Sequence, residues 1–232
     1  MKTILLSGPG KNSLSTALMT RMLAEIRDAK SEPLFLTGEG DAFSAGLNLK
    51  EIVEHDAPGM AKFLGTLEEL VEALFEHPAP TVAWVNGHAI AGGCVMTLCC
   101  DVRFMTARTN PRPLIGLNEV ALGLRFPPLT FEMTRRRVSA QLLERVILEA
   151  ALYDAPTAQR LGLIDEIGEE GDARAMLEKL AKHPREIYAE TKRAMRGKLE
   201  VPKEAHRRFI DETIPYWASP AVKERLRNVL KK

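Results

Sequence analysis

The sequence has few of the residues that mark a disulfide-stabilised, membrane-embedded or nucleic-acid-binding protein. It holds three cysteines in 232 residues, and aromatic residues make up only 6% of it. Basic side chains number 32 and acidic ones 31, which leaves a formal net charge of +1. So small a charge excludes recruitment of nucleic acid or an anionic membrane by a global field. No apolar run reaches the roughly 18 residues that a membrane-spanning helix needs.

The cysteines themselves exclude two further classes of site. Cys94, Cys99 and Cys100 lie in one apolar stretch and have neither the spacing of metal ligands nor that of a disulfide framework. We therefore expect buried, reduced thiols and no metal site. The opening segment, MKTILLSGPGK, has too short an apolar core for a signal peptide and lacks a small-residue cleavage site, so we expect a cytoplasmic protein.

What the sequence does contain is an alternation of strand-like and helical segments. Apolar residues make up 45% of the chain, enough for one domain with an appendage or two small ones. Helices are predicted from Ser13 or Ser15 to about Ala29, over about 59–76, and over 92–99. The predicted strands, which end in turn residues, are TILLSG, PLFLTG, TVAWVNG and DVRFMTA. This alternation predicts an α/β core.

The last quarter of the chain differs from the rest. After LIDEIG, near residue 168, the strand signals stop and amphipathic helical patterns follow. A boundary is expected near residues 170–185, and we divide the chain into a core of residues 1–180 and a helical region of residues 181–232. TRRR, at 134–137, is interpreted as a solvated helix face.

Two glycine-containing turns provide the first candidate chemistry. In DAFSAGLNLKEI, Gly46 precedes a helix start that leaves the N–H groups around Leu47 without intrahelical partners. In WVNGHAIAGGCVM, Gly92 and Gly93 open a short apolar helix whose N-terminus also presents free donors. Two converging donors would form an oxyanion hole, although a glycine at a strand-to-helix turn more often reflects backbone geometry alone.

Glu119 provides the second candidate for chemistry. In IGLNEVALGL it is the one carboxylate in an otherwise apolar run with a single amide. A carboxylate taken out of water must be paired or have a raised pKa. Burial among Ile115, Leu117, Val120, Leu122 and Leu124 is expected to raise the pKa of Glu119 toward the working pH, which suits a group that is first base and then acid.

In order along the chain, DAFSAGLNLKEI, PTVAWVNGHAIAGGCVMTLCCDVRFM, IGLNEVALGL and DAPTAQRLGLIDEI together resemble the crotonase (enoyl-CoA hydratase/isomerase) superfamily over nearly the whole sequence. The resemblance implies a spiral of ββα units, a C-terminal helical trimerisation region, and trimers or dimers of trimers. It also implies an acyl-CoA thioester held by the N–H groups of Leu47 and Gly92, with coenzyme A as part of the substrate and no separate cofactor.

The resemblance extends to individual site residues. It implies substrate or CoA contacts for Ser44, Ala45, Gly46, Asn48, Lys50, Gly93 and Asn118. Lys50 has the alternative of a solvated helix lysine, and Asn118 that of a turn cap. Phe209 and Trp217 are expected in core or subunit packing, although the resemblance implies that similar positions help to close the acyl pocket from a neighbouring subunit.

One departure from the family pattern decides which reaction is predicted. Hydratases hold a water between two glutamates. In this sequence Val95 occupies the position of the first glutamate, and Glu119 matches the second. The pattern therefore resembles the monofunctional Δ3,Δ2-enoyl-CoA isomerases of fatty acid metabolism, in which one carboxylate serves. A hydratase or other crotonase-type reaction, and a non-catalytic acyl-CoA binder, stay open as alternatives. Candidates to replace the missing carboxylate are Glu51, Glu54 and Glu132, all predicted at exposed helical positions.

Overall fold

The protein, described over residues 1–231 by a computed structural model, is built on two parallel β-sheets. One sheet has the strand order β1-β2-β4-β6-β8 and the other β3-β5-β7. All four strands predicted from the sequence lie in the larger sheet. The strands are β1 (Lys2–Leu6), β2 (Leu34–Gly38), β3 (Ala42–Ser44), β4 (Thr81–Val85), β5 (His88–Ile90), β6 (Val102–Met105), β7 (Ile115–Gly116) and β8 (Glu166–Ile167).

Helices separate successive pairs of strands. The predicted helix after Ser15 is confirmed, with the Ser15 side chain accepting a hydrogen bond from the backbone N–H of Leu18. The helices are α1 (Pro9–Asn12), α2 (Thr16–Ala29), α3 (Leu49–Ile52), α4 (Ala57–Phe75), α5 (Gly92–Cys99), α6 (Glu119–Leu122), α7 (Pro128–Arg137), α8 (Ala140–Glu149), α9 (Ala155–Arg160), α10 (Glu170–Ala181), α11 (Arg185–Arg196), α12 (Lys203–Arg208), α13 (Ile214–Trp217) and α14 (Pro220–Leu230), with a π-helical turn at Phe209–Thr213.

The chain path is a spiral. Each turn places one strand in the larger sheet, the next in the smaller sheet and then one or more helices, as in the sequence β2-β3-α4 followed by β4-β5-α5. All pairings are parallel, so each strand is reached by a crossover from the same end of its sheet. The predicted spiral of ββα units is confirmed.

Side chains that alternate along β2 show how the larger sheet is covered on both faces. Leu34 and Leu36 belong to the main core, whereas Phe35 packs on the opposite face with Ala173 and Leu177 of α10. Burial on both faces explains why the strands are continuous apolar runs in the sequence. The main core lies between the sheets and the helices α2, α4 and α5.

The C-terminal region contains helices only, within residues 168–231. This agrees with the end of strand signals near residue 168, and the division at residue 180 stays a prediction. The interpretation of residues 134–137 as a solvated face was wrong for Thr134, which is fully buried, and for Arg137. The Arg137 guanidinium donates to the carbonyls of Leu98 at 2.9 Å and Cys100 at 2.8 Å. Carbonyls at a helix C-terminus have no intrahelical donor, and a cation there is favourable.

The three cysteines are free and buried, as expected from the sequence. Burial raises the pKa of each thiol above its ordinary value, because the apolar surroundings disfavour the thiolate. The chain therefore treats these residues as small hydrophobic side chains.

Candidate active site

The loop after β3 presents the first candidate backbone donor. Gly46 has a φ of 86°, which an L side chain rarely adopts. Its carbonyl accepts from Leu14 N–H at 2.7 Å, and Asn48 N–H donates to the carbonyl of Leu14 at 3.1 Å. Leu47 N–H, between these two bonds, donates no hydrogen bond within residues 1–231. The loop is therefore fixed on both sides of an unpaired donor.

The N-terminus of α5 presents the second candidate backbone donor. Gly92 is the first residue of this helix, so its N–H has no intrahelical acceptor. The two segments approach closely, since a β-carbon built on Gly92 would lie 3.5 Å from the Leu47 nitrogen and one built on Gly46 would lie 3.4 Å from the Gly92 nitrogen. A β-carbon on Gly46 would also lie 2.7 Å from the carbonyl oxygen of Ile90. Gly46 is therefore needed for its positive φ and also because the start of α5 lies too close for a side chain.

Ser44 and Gly93 lie beneath this pair of segments. A β-carbon on Gly93 would lie 2.7 Å from the Ser44 carbonyl oxygen, so the start of α5 packs directly on the end of β3. The Ser44 hydroxyl is fully buried and donates to the carbonyl of Asn12 at 2.8 Å. Both residues thus fix the backbone that carries the two donors.

The other predicted contact residues near β3 are more open. Ala45 and Lys50 are exposed, and Asn48 is half-buried. The Asn48 side chain caps α3 by accepting from Lys50 N–H at 3.1 Å and from Glu51 N–H at 3.3 Å. These three residues form an accessible rim next to Leu47.

Glu119 begins α6, a single turn that follows β7. Its side chain is 8% exposed, and its Oε2 atom is buried without a hydrogen-bond partner in the described residues. Burial raises the pKa of Glu119 to about 7, against a smaller lowering by its own backbone N–H. The rise expected from the sequence is confirmed, and it places the carboxyl where both protonation states are accessible near neutral pH.

The apolar surroundings of Glu119 were predicted with one error, at Val120, and Leu122 is half-buried. Ile115 and Leu117 are fully buried, and Leu124 is buried as well. Val120, however, is 44% exposed, because the one-turn helix directs this position outward while Glu119 faces inward. Asn118 occupies the cap position of α6 without a side-chain cap bond, and its Oδ1 atom is buried without a partner in residues 1–231. The turn-cap alternative for the Asn118 side chain was therefore wrong.

The side of α5 next to Glu119 is apolar. Val95 is 1% exposed, and the charge of Glu119 contributes to the raised pKa of the neighbouring Cys94 thiol. Burial and the residue's own backbone account for the Glu119 pKa, with no contribution from a second carboxylate in residues 1–231. Among the carboxylates of residues 1–231, only Glu119 has a buried oxygen without a hydrogen-bond partner.

The three alternative carboxylates do not fill this gap. Glu54 is exposed, as predicted. The prediction of exposure was wrong for Glu51, which accepts from Thr16 N–H at 2.9 Å, and for Glu132, which accepts from Arg136 Nε at 2.7 Å. Both are half-buried and already bound to donors, because ion pairs and loop amides lie within their reach.

Glu68 is a buried carboxylate that sequence reasoning missed. It lies in α4 with 6% exposure, and burial raises its pKa to about 7. Its Oε1 atom accepts from Leu129 N–H at 2.7 Å, at the start of α7. The signal was present in the sequence, because Glu68 follows Leu64 by four residues and so falls on the apolar face of α4.

Phe209 and Trp217 are buried against the same chain. Phe209 is 6% and Trp217 1% exposed, which confirms core packing. The indole Nε1–H of Trp217 donates to the carbonyl of Arg125 at 2.9 Å, just after the Glu119 turn. The C-terminal helices thus reach the site region within one protomer.

Neither a clustered metal site nor a membrane-spanning helix occurs in residues 1–231. No group of three or more His, Cys, Asp and Glu side chains there has the arrangement of a metal site. In the same residues, no helix is both long enough and apolar enough to cross a membrane.

Comparison with known proteins gives a consistent family. The family described as Enoyl-CoA hydratase/isomerase matches residues 2–221. Enoyl-CoA delta isomerase 1, mitochondrial, of Mus musculus is 30% identical over 200 residues, covering 82% of this chain and 68% of the relative. The 2,3-dehydroadipyl-CoA hydratase of Escherichia coli K12 is 29% identical over 203 residues, covering 84% and 77%.

Solved structures share the fold. Human mitochondrial delta3-delta2-enoyl-CoA isomerase superimposes with a TM-score of 0.85 at 24% identity, over 97% of this chain and 90% of that one. Enoyl-CoA hydratase from Bacillus halodurans gives a TM-score of 0.81 at 25% identity, over 97% and 94%. Isomerases and hydratases are thus similar to this chain to about the same degree.

Proposed function

The chain belongs to the enoyl-CoA hydratase/isomerase family, and on that premise we propose that it is an enoyl-CoA isomerase that moves the double bond of a 3-enoyl-CoA to the 2 position. The observation that carries the proposal is Glu119, a buried carboxylate with a partnerless oxygen in the described residues, in a chain whose position 95 is a buried valine. Double-bond migration needs one proton removed and the same proton returned, which one carboxyl group can do.

The proposed steps conserve protons and electrons. Glu119 removes a proton from C2, and the electron pair spreads over the diene and onto the thioester oxygen. The N–H groups of Leu47 and Gly92 donate to that oxygen, which gains negative charge in the transition state. Glu119 then returns the proton to C4, leaving the double bond between C2 and C3 and the carboxylate ready for the next turnover.

Binding of the substrate is proposed to use the residues predicted from the sequence. Lys50, Ala45 and Asn48 lie on the accessible rim, where the CoA portion would approach. Ser44, Gly46 and Gly93 shape the backbone that holds the thioester, and Asn118 has a free buried oxygen beside Glu119. Contacts with the remote CoA group would help to fix the acyl chain against Glu119.

Self-association into a trimer, or a dimer of trimers, is also part of the proposal. Lys192 is the buried residue of α11, whereas Ile187 is 60% and Met195 82% exposed on this helix. Light scattering on an Ile187→Glu, Met195→Glu variant tests this, with loss of the oligomer as the expected result. A monomeric wild-type protein would contradict it.

We also propose a cytoplasmic location, as predicted from the sequence.

The test of the reaction follows the ultraviolet absorbance of conjugated thioesters. The purified protein should raise the absorbance of a 3-enoyl-CoA sample and leave a 2-enoyl-CoA sample unchanged, and Glu119→Gln should abolish the rise. Loss of conjugation in the 2-enoyl-CoA sample would favour hydration, the activity in the name of the Escherichia coli relative. Binding of acyl-CoA without change in either sample would favour a non-catalytic binder.

A further inference from the structure

We propose that Tyr216 is a positioning residue for Glu119, acting through the peptide group that joins Gly123 to Leu124. The inference rests on the proposed function, because it concerns the group that moves the proton. It assigns the C-terminal helices a role in the catalytic turn of their own chain.

The turn that carries Glu119 cannot hold its own geometry. Helix α6 has four residues, and isolated helices shorter than about 12 residues are marginal in water. At its N-terminal end Asn118 makes no side-chain cap bond, and Oε2 of Glu119 has no partner in the described residues. Contacts at the other end of the turn are therefore needed to fix the backbone that carries the carboxyl group.

One peptide group provides such a contact. Leu124 N–H donates to the backbone carbonyl of Glu119 at 2.8 Å. The carbonyl of Gly123, in the same planar peptide group, accepts from the Tyr216 hydroxyl at 2.7 Å and from Arg225 Nη1 at 3.1 Å. Because the peptide is planar, donors that fix its oxygen also fix the direction of its N–H toward Glu119. Hydrogen bonds in such a chain also strengthen one another.

Side chains of the C-terminal helices hold this peptide group in place. Gly123 has a φ of 66°, and a β-carbon there would overlap the Arg225 guanidinium. The Arg125 guanidinium lies 4.4 Å from the centre of the Tyr216 ring, and the Arg125 carbonyl accepts from Trp217 at 2.9 Å. Two consecutive residues of α13 and one of α14 thus bind the segment directly after α6.

Tyr216→Phe tests the proposal, with Tyr188→Phe as the matched control. Each variant removes one half-buried hydroxyl. That of Tyr188 donates to Asp101 Oδ2 at 2.9 Å, and that of Tyr216 donates to the Gly123 carbonyl at 2.7 Å and also accepts from Arg225 Nη1 at 3.4 Å. For Tyr216→Phe we expect kcat to fall about tenfold with KM within about twofold of wild type, because a small displacement of a reacting group lowers the rate more than binding. Tyr188→Phe should keep kcat and KM.

A second readout does not depend on turnover. Carboxyl-carbon NMR of labelled glutamate, with Glu119→Gln to assign the signal, gives the pKa of Glu119 in each variant. In Tyr216→Phe the pKa should fall toward the ordinary glutamate value, because a freer turn lets the carboxylate reach water. In Tyr188→Phe it should stay at the wild-type value. Arg225→Met should shift the pKa in the same direction as Tyr216→Phe, and the double variant should shift it further.

The outcomes separate this inference from the proposed reaction. If Tyr216→Phe lowers the melting temperature but keeps the wild-type Glu119 pKa, Tyr216 is only structural and the inference is overturned. If the wild-type protein leaves 3-enoyl-CoA unchanged, the proposed reaction fails, and the NMR titration still decides whether Tyr216 positions Glu119.

Discussion

Glu119 and Glu68 are two buried carboxylates, and burial raises the pKa of each to about 7, but their partners differ. Glu68 accepts from a backbone N–H at the start of α7, whereas Oε2 of Glu119 has no partner in the described residues. The Glu68 oxygen is already used by a backbone donor, whereas the unpaired oxygen of Glu119 stays available to a substrate. Burial and pKa alone do not separate the two; the hydrogen-bond partners do.

The largest expected difference between the two residues is in turnover. Loss of a general acid or base reduces the rate by about 10²- to 10⁴-fold, so Glu119→Gln should lower kcat about 10³-fold while acyl-CoA binding persists. Glu68→Gln keeps an acceptor for Leu129 N–H and should retain kcat within about threefold. Steady-state kinetics on a 3-enoyl-CoA and a binding titration measure both. Equal losses in the two variants would abolish the distinction.

The next effect is on stability as a function of pH. The Glu119 pKa rises from 4.5 to about 7 on folding, so the stability associated with the protonated form is complete below about 4.5 and is lost as the pH rises through about 7. Such a pKa difference corresponds to about 3 kcal/mol.

The difference in unfolding free energy between Glu119→Gln and wild type should therefore change by about 3 kcal/mol in favour of the variant between pH 4.5 and pH 8. Urea titrations at several pH values measure it. Glu68 titrates in both proteins and cancels in the difference, and a pH-independent difference would show that Glu119 is not desolvated.

A smaller effect is expected from removing the carboxyl group of Glu68. Glu68→Ala leaves the Leu129 N–H unsatisfied and should cost about 2 kcal/mol of unfolding free energy. Glu69→Ala is the matched control, because Glu69 is the next residue of α4 and is exposed. That change should stay within about 0.5 kcal/mol. Urea unfolding at pH 6 measures both, and similar values for the two variants would contradict a capping role for Glu68.

The smallest expected effect concerns the pH dependence of activity. If Glu119 must begin as a carboxylate, kcat/KM should fall about tenfold for each pH unit below its pKa. The fall should begin near pH 7, where burial places the Glu119 pKa. Glu68→Gln should show the same acidic limb as wild type. Loss of that limb in Glu68→Gln would show that the activity depends on the titration of Glu68 and not on that of Glu119.

The two free donors of the site were predictable because local backbone geometry leaves a mark in the sequence. A positive φ at Gly46 and the close approach of α5 to β3 at Gly93 both require glycine. The longer strands were predictable for a similar reason, since burial on both faces makes each a continuous apolar run. Strands β5 and β7 were not predicted, because they have only three and two residues and depend on pairing with a neighbour.

By itself the sequence determined the α/β core, the two glycine turns and the carboxylate at Glu119, because each depends on residue type or on a short-range pattern, and its resemblance to the crotonase superfamily implied the spiral. Only the tertiary structure decided that Val120 points outward, that Glu68 is buried beside α7, and that Tyr216 binds the Gly123 carbonyl. These contacts join residues 61 and 93 positions apart, and no local periodicity encodes them. The packing of distant helices completed the site, because it buries some polar groups together with hydrogen-bond partners and leaves an oxygen of Glu119 without a partner.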